Sequence, residues 1–269
     1  MRNLADPELT KTRSAYDRMM NIKDDRGYGY LAGIHGIPGN KCKHGESDTI
    51  FDPSFRLFLP WHRAYLYWFE RYLQDAQKNA TITVPWWDWT SNTTRARGIP
   101  KAFSQEFANG NPNPLFDFHV IVPDNVNLDA LAAAGIVRER EFDTHREPLR
   151  PSLLNPYTRP QKIEELLSLR DYGDFSDQLE DTHNFIHGWV GGNDGDMGSV
   201  PFSAYDPIFW SHHCMIDRLF WLWQLRPGHS LPLYLHDEVL EPFKLTVRQV
   251  LNIYQLGYDY ASSQILVEM

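Results

Sequence analysis

The sequence predicts a mainly α protein, built on an antiparallel four-helix bundle core with long loops and few, peripheral strands. Four segments carry apolar residues at spacings of three and four. Two of them open on an Asp-Pro pair, which caps a helix and supplies its first turn. The rest holds no internal repeat and no low-complexity tract; its most irregular stretch, residues 99–157, clusters Pro, Asn and Gly between apolar residues and reads as one loop-rich excursion.

The first helix starts at Asp6-Pro7 and runs to about Ile22, without a histidine. The second starts near Pro60-Trp61 and puts His62, Leu66, Phe69 and Leu73 on one stripe, so His62 faces inward. The third spans about Ser176 to Val190, where Leu179, His183, Ile186, His187 and Val190 share a face. His183 and His187 are one turn apart and can converge on one ion. The fourth opens at Asp206-Pro207, with the stripe Phe209, His213, Ile216, Phe220 and Trp223. Between the last two, G191-G-N-D-G-D-M-G198 follows a helix and matches neither a phosphate loop nor a calcium loop. It reads as a flexible rim.

With 269 residues and 42% hydrophobic content, the chain suits a single domain over residues 1–269. The 14% aromatic share fits either a ring-packed helical core or a ring-lined pocket. A net charge of -9 with no basic stripe argues against nucleic-acid binding. The start MRNLADPELT lacks the apolar core of a secretory signal, and no apolar run is long enough to cross a bilayer. The expectation is a soluble, cytoplasmic protein with no membrane partner. Two cysteines, Cys42 and Cys214, do not make a disulfide framework.

Buried helical faces that repeatedly spend core positions on histidine must satisfy the ring nitrogens, and a metal ion does so economically. Copper, zinc, iron and nickel all suit neutral imidazole. The structural alternative is a set of core histidines bonded to backbone carbonyls. A zinc hydrolase is the competing metal reading, but its glutamate base would follow the first histidine of the helical pair, where Asn184 stands.

F58-L-P-W-H-R-A-Y-L-Y, T83-V-P-W-W-D-W, H183-N-F-I-H-G-W-V and D206-P-I-F-W-S-H-H-C-M-I-D-R together resemble the tyrosinase and catechol oxidase family, whose oxygen-carrying relatives are the molluscan haemocyanins. Tyr258-Asp-Tyr260 resembles the motif that closes the family's catalytic domain, and the length resembles the short, bacterial-like form without a C-terminal shielding domain. The resemblance implies two copper ions, one on His35, His44 and His62 and the other on His183, His187 and His213. The interval from His44 to His62 is longer than usual in the family, and residues 46–54 resemble a surface insertion.

Further roles follow from the same resemblance. His212 and Val200 would border the substrate pocket, Val200 at a gate position beside the second copper. Cys42, in a C-x-H spacing, would be joined to His44 by a thioether. Glu180 and Asn184, one turn apart, would hold a water that takes a phenol proton. The implied activity is hydroxylation of monophenols and oxidation of o-diphenols to o-quinones with dioxygen, since two copper(I) ions together can supply two electrons. The alternatives are a catechol or o-aminophenol oxidase without monophenol activity, or a haemocyanin-like oxygen binder. The implied partners are small phenols, dioxygen and a copper-delivery protein; the oligomeric state is not implied.

Overall fold

A computed structural model describes residues 7–44, 56–136 and 138–260, so the suspected insertion at 46–54 lies outside the described residues. The principal helices are α1 (Pro7–Met20), α2 (Tyr28–His35), α3 (Phe58–Gln77), α4 (Tyr172–Gly191) and α5 (Ile208–Gln224). The mainly helical expectation holds. Strands are confined to three short antiparallel pairs: Phe107–Ala108 with Asn111–Pro112, His119–Ile121 with Glu141–Asp143, and Val239–Leu240 with Leu245–Thr246. Two of these pairs and several short helices occupy the excursion at 99–157. No helix among the described residues is long and apolar enough to cross a membrane.

Helix boundaries follow local chemistry. α3 begins two residues before Pro60, which the first turn tolerates because its backbone N–H would have no helical partner there. α4 begins a full turn earlier than the apolar stripe indicates, because the Asp171 carboxylate accepts the Asp174 backbone N–H at 3.0 Å and caps the helix. At α5, Asp206 accepts the Ile208 N–H at 3.0 Å, and Arg146 donates to the same carboxylate.

One of the four core helices differs from the sequence expectation. α2, which carries His35 at its last residue, takes the place assigned to α1, while α1 packs against α2 and α3. α2 is only eight residues long, and Tyr28, Leu31, Ala32, Gly33, Ile34 and His35 are all buried. With Tyr30 its one exposed residue, so short a helix shows no polar face and leaves no periodic signal.

The aromatic excess serves the core. Trp61, Trp87, Trp89, Trp189, Trp210 and Trp223 are fully buried. Trp210 stacks on Phe69 with ring centres 3.5 Å apart, and its Nε1–H donates to the Tyr28 hydroxyl at 3.1 Å. That hydroxyl donates in turn to the Tyr205 carbonyl. These contacts join α2, α3 and α5 beneath the histidines.

A buried ion pair ties the end of the described chain to the bundle. The Arg63 guanidinium, with no solvent exposure, donates to Asp217 at 2.5 Å and to Gln224 at 2.7 Å, and lies 4.2 Å over the Phe220 ring. It also donates to the carbonyls of Val250 and Leu251. The other Asp217 oxygen accepts the hydroxyls of Tyr258 at 2.7 Å and Tyr260 at 2.6 Å. Arg63 and Asp217 each lie one residue or a turn from a site histidine, so this latch fixes the backs of α3 and α5. Asp217→Ala leaves a buried guanidinium without its counter-charge and is expected to cost about 3–5 kcal/mol in chemical unfolding of the metal-free protein. A loss below about 1 kcal/mol, the size of an average substitution, would show that the latch does not hold the fold.

Candidate metal centre

The six histidines expected to bind metal come together as two adjoining triads. In the first, ring centres of His35, His44 and His62 are separated by 5.7, 5.6 and 5.4 Å. In the second, His183, His187 and His213 are separated by 4.4, 4.8 and 5.5 Å. Three imidazoles bound to one ion through nitrogens at roughly 2.0 Å have ring centres about 5 Å apart, so both triads are the right size. The triads meet where His62 stacks on His213, 4.5 Å centre to centre, and where His44 faces His183 at 5.5 Å.

The ring nitrogens divide by role. His62 Nδ1–H donates to the Phe58 carbonyl at 2.8 Å, His187 Nδ1–H to the Met197 carbonyl at 2.8 Å, His183 Nδ1–H to Asn184 Oδ1 at 3.0 Å, and His44 Nδ1–H to Glu180 Oε1 at 3.2 Å. With Nδ1 donating, each ring in its neutral form presents an Nε2 lone pair to the interior. The Nε2 atoms of His44 and His62 are buried without a hydrogen-bond partner, as are both nitrogens of His35. His213 Nε2 lies 3.2 Å from His183 Nε2 and 3.3 Å from His187 Nε2. Ligands arranged around a metal at about 2.0 Å stand roughly 3.3 Å apart, so this triangle fits one ion.

The electrostatics agree with that fit. Burial first, then neighbouring imidazoles, pushes His35, His62, His183 and His213 well below the usual histidine range. Burial lowers His187 to about 4. Neutral imidazole is the ligating form, and these five rings hold it at neutral pH. His44 differs: burial lowers it, but hydrogen bonds to Cys42 and Glu180 raise it to about 9. A metal there must displace a proton.

The other expected residues occupy distinct places. Glu180 is 6% exposed and bonds His44, whereas Asn184 is exposed and bonds His183, so each engages an imidazole of a different triad. Cys42 Sγ shares a 4.8 Å cluster with nitrogens of His35 and His44. The Val200 side chain is 49% exposed, while its carbonyl packs against Gly36, beside His35 of the first triad. His212 is fully buried, stacked 5.2 Å from His183, and at least one of its nitrogens has no partner.

Several contributors were not foreseen from sequence. The Phe58 ring packs within 5.5 Å of His44, His62 and His183, and Phe209 lies between His35 and His213. The glycine-rich stretch is an anchored turn instead of a flexible rim. Asp196 within it is fully buried, accepting Arg138 at 2.9 Å and the His145 backbone N–H at 2.8 Å. A Cβ on Gly191 would stand 2.3 Å from the Gly198 nitrogen, so the close approach that puts the Met197 carbonyl on His187 requires glycine. A cavity of about 480 Å³ lined by Cys214, Asp217 and Tyr260 includes none of the site histidines and is separate from this centre.

Comparison with known proteins agrees with the geometry. The family described as the common central domain of tyrosinase matches residues 25–226. A G-type hemocyanin of Enteroctopus dofleini is 31% identical over 236 residues, covering 83% of this chain and 8% of that protein. Unit D of a beta-C chain hemocyanin of Helix pomatia is 30% identical over 268 residues, covering 94% of this chain and 60% of that protein. The chain thus spans less than two thirds of the length of these curated relatives. Among solved structures, a tyrosinase from Burkholderia thailandensis superposes with a TM-score of 0.76 at 25% identity, covering 97% of this chain and 72% of that one. A functional unit of octopus hemocyanin superposes with a TM-score of 0.73 at 25% identity, covering 97% and 66%. With the family match spanning both triads, the chain belongs to the tyrosinase family of proteins that bind two copper ions.

Proposed function

We propose that the chain is a copper-dependent phenol oxidase that converts o-diphenols to o-quinones and hydroxylates monophenols with dioxygen. The observation that carries this reading is the opening of the second triad: His187 is only half-buried, and the exposed Val200 follows three residues after the carbonyl that holds it. The rings of His35, His62, His183 and His213 are at most 2% exposed, so a phenol would approach past His187.

A copper pair bound here would supply two electrons to dioxygen and polarise a bound phenol oxygen. The chain's own residues hold the rings for that work. Helix α4 aims His183 and His187 from consecutive turns, and main-chain carbonyls lock His62 and His187. Phe58 and Phe209 wall the interior and exclude water, which strengthens the electrostatic interactions inside. Glu180 is a positioning residue in this account, orienting His44 and drawing on its Nδ1 proton.

An oxygen carrier is the second reading, favoured by the hemocyanin relatives and by the nearly complete burial of four of the six rings. Oxygen uptake by copper-loaded protein separates the two. Continuous uptake is expected with catechol, and slower uptake with tyrosine; stoichiometric, reversible oxygen binding without quinone would establish the carrier. In the same assay Glu180→Gln is expected to lower both activities in step with copper content. A loss of one to two orders of magnitude confined to tyrosine would instead make Glu180 the base for the phenol proton.

The nearness of Cys42 to His44 also supports a thioether between them. Forming it removes the thiol hydrogen and one ring C–H hydrogen of His44, with dioxygen as the two-electron acceptor. Denatured, copper-matured protein is expected to weigh two hydrogens less than its sequence, a deficit missing from Cys42→Ser. A Cys42 that remains freely alkylatable after maturation contradicts the bond.

A further inference from the structure

His212 is the one buried imidazole of the centre that neither triad uses. It is fully buried, and its one protein hydrogen-bond partner is the backbone of His183, which leaves at least one ring nitrogen unsatisfied. A purely structural core histidine would satisfy both ring nitrogens.

Its position relative to the second triad is specific. Ring-centre separations are 5.2 Å to His183, 4.9 Å to His187 and 5.2 Å to His213. With the separations of 4.4, 4.8 and 5.5 Å inside the triad, the four rings form a nearly regular tetrahedron. Four imidazoles on one ion at roughly 2.0 Å would have ring centres about 5 Å apart. One donor atom from each of the four lies within 4.8 Å of the others, and His213 Nε2 already stands 3.2 and 3.3 Å from those of His183 and His187. The helices provide this arrangement: His183 and His187 stand on consecutive turns of α4, and the adjacent His212 and His213 flank them from two sides of α5.

We propose that His183, His187, His212 and His213 form a closed, tetrahedral four-imidazole site for a single zinc(II) ion. Zinc has no preference for an open coordination position, and four neutral nitrogens complete its tetrahedron. An ion so held leaves no vacant position for dioxygen or a phenol. Zinc capture therefore silences the second triad and competes with copper loading. The proposal rests on ring positions and not on the phenol oxidase reading, which is tested on copper-loaded protein.

The test is titration of metal-free protein with zinc(II) alone, with long-range proton–nitrogen spectra of the histidine rings recorded at one equivalent. Signals assigned to His212 by their loss in His212→Gln are expected to move to metal-bound positions together with those of His183, His187 and His213. Folded His212→Gln is expected to bind that equivalent at least roughly tenfold more weakly. His212→Phe provides the same assignment if the glutamine variant fails to fold, and the decisive spectrum is that of the unsubstituted protein. His212 signals that stay at their metal-free positions would overturn the proposal, as would unchanged zinc affinity in either folded variant.

Discussion

The structure depends on burying imidazole nitrogens that no protein group satisfies. An unpartnered polar group in the interior costs about 1–3 kcal/mol, and this centre gathers several of them. Water could satisfy them only by filling the site. Metal ligation satisfies them together, so the stability that the metal-free fold forgoes reappears as affinity for the ion. The depressed protonation of five rings follows from the same burial and keeps them in the ligating form.

Much of the remaining architecture fixes which nitrogen faces inward. Two of the four Nδ1 anchors are main-chain carbonyls, and both come from places where the backbone is held tightly. Phe58 lies four residues before His62 in the first turn of α3, so its carbonyl lies beneath the imidazole. Met197 lies in the turn pressed against Gly191, whose missing Cβ permits the contact. The Arg63–Asp217 latch then holds α3 and α5 at the spacing that lets His62 stack on His213.

What was legible in the sequence was what repeats along one helix. The stripes through His62, through His183 and His187, and through His213 predicted three of the metal-bearing helices and the inward direction of their rings. α2 was not legible, because a helix of eight residues with Tyr30 alone exposed is too short to show a periodicity. Contacts between distant segments were equally hidden: Glu180 and His44 are 136 positions apart, and nothing local to either marks the pair. Asn184 and Glu180 share a helical face, but that each also reaches a histidine of a different triad was not legible. The glycines at 191–198 suggested flexibility from composition, whereas their role is close packing around the buried Asp196. Family membership was legible in motifs, but the same motifs serve oxidases and oxygen carriers, so activity is not fixed by them.

The central claim is that each triad holds one copper ion through inward Nε2 atoms. Anomalous diffraction from crystals of copper-loaded protein at the copper edge tests it directly. The account predicts two peaks per chain, one between the Nε2 atoms of His35, His44 and His62 and the other between those of His183, His187 and His213. A single peak, or copper bound through Nδ1 with the carbonyl contacts of His62 and His187 broken, would contradict it.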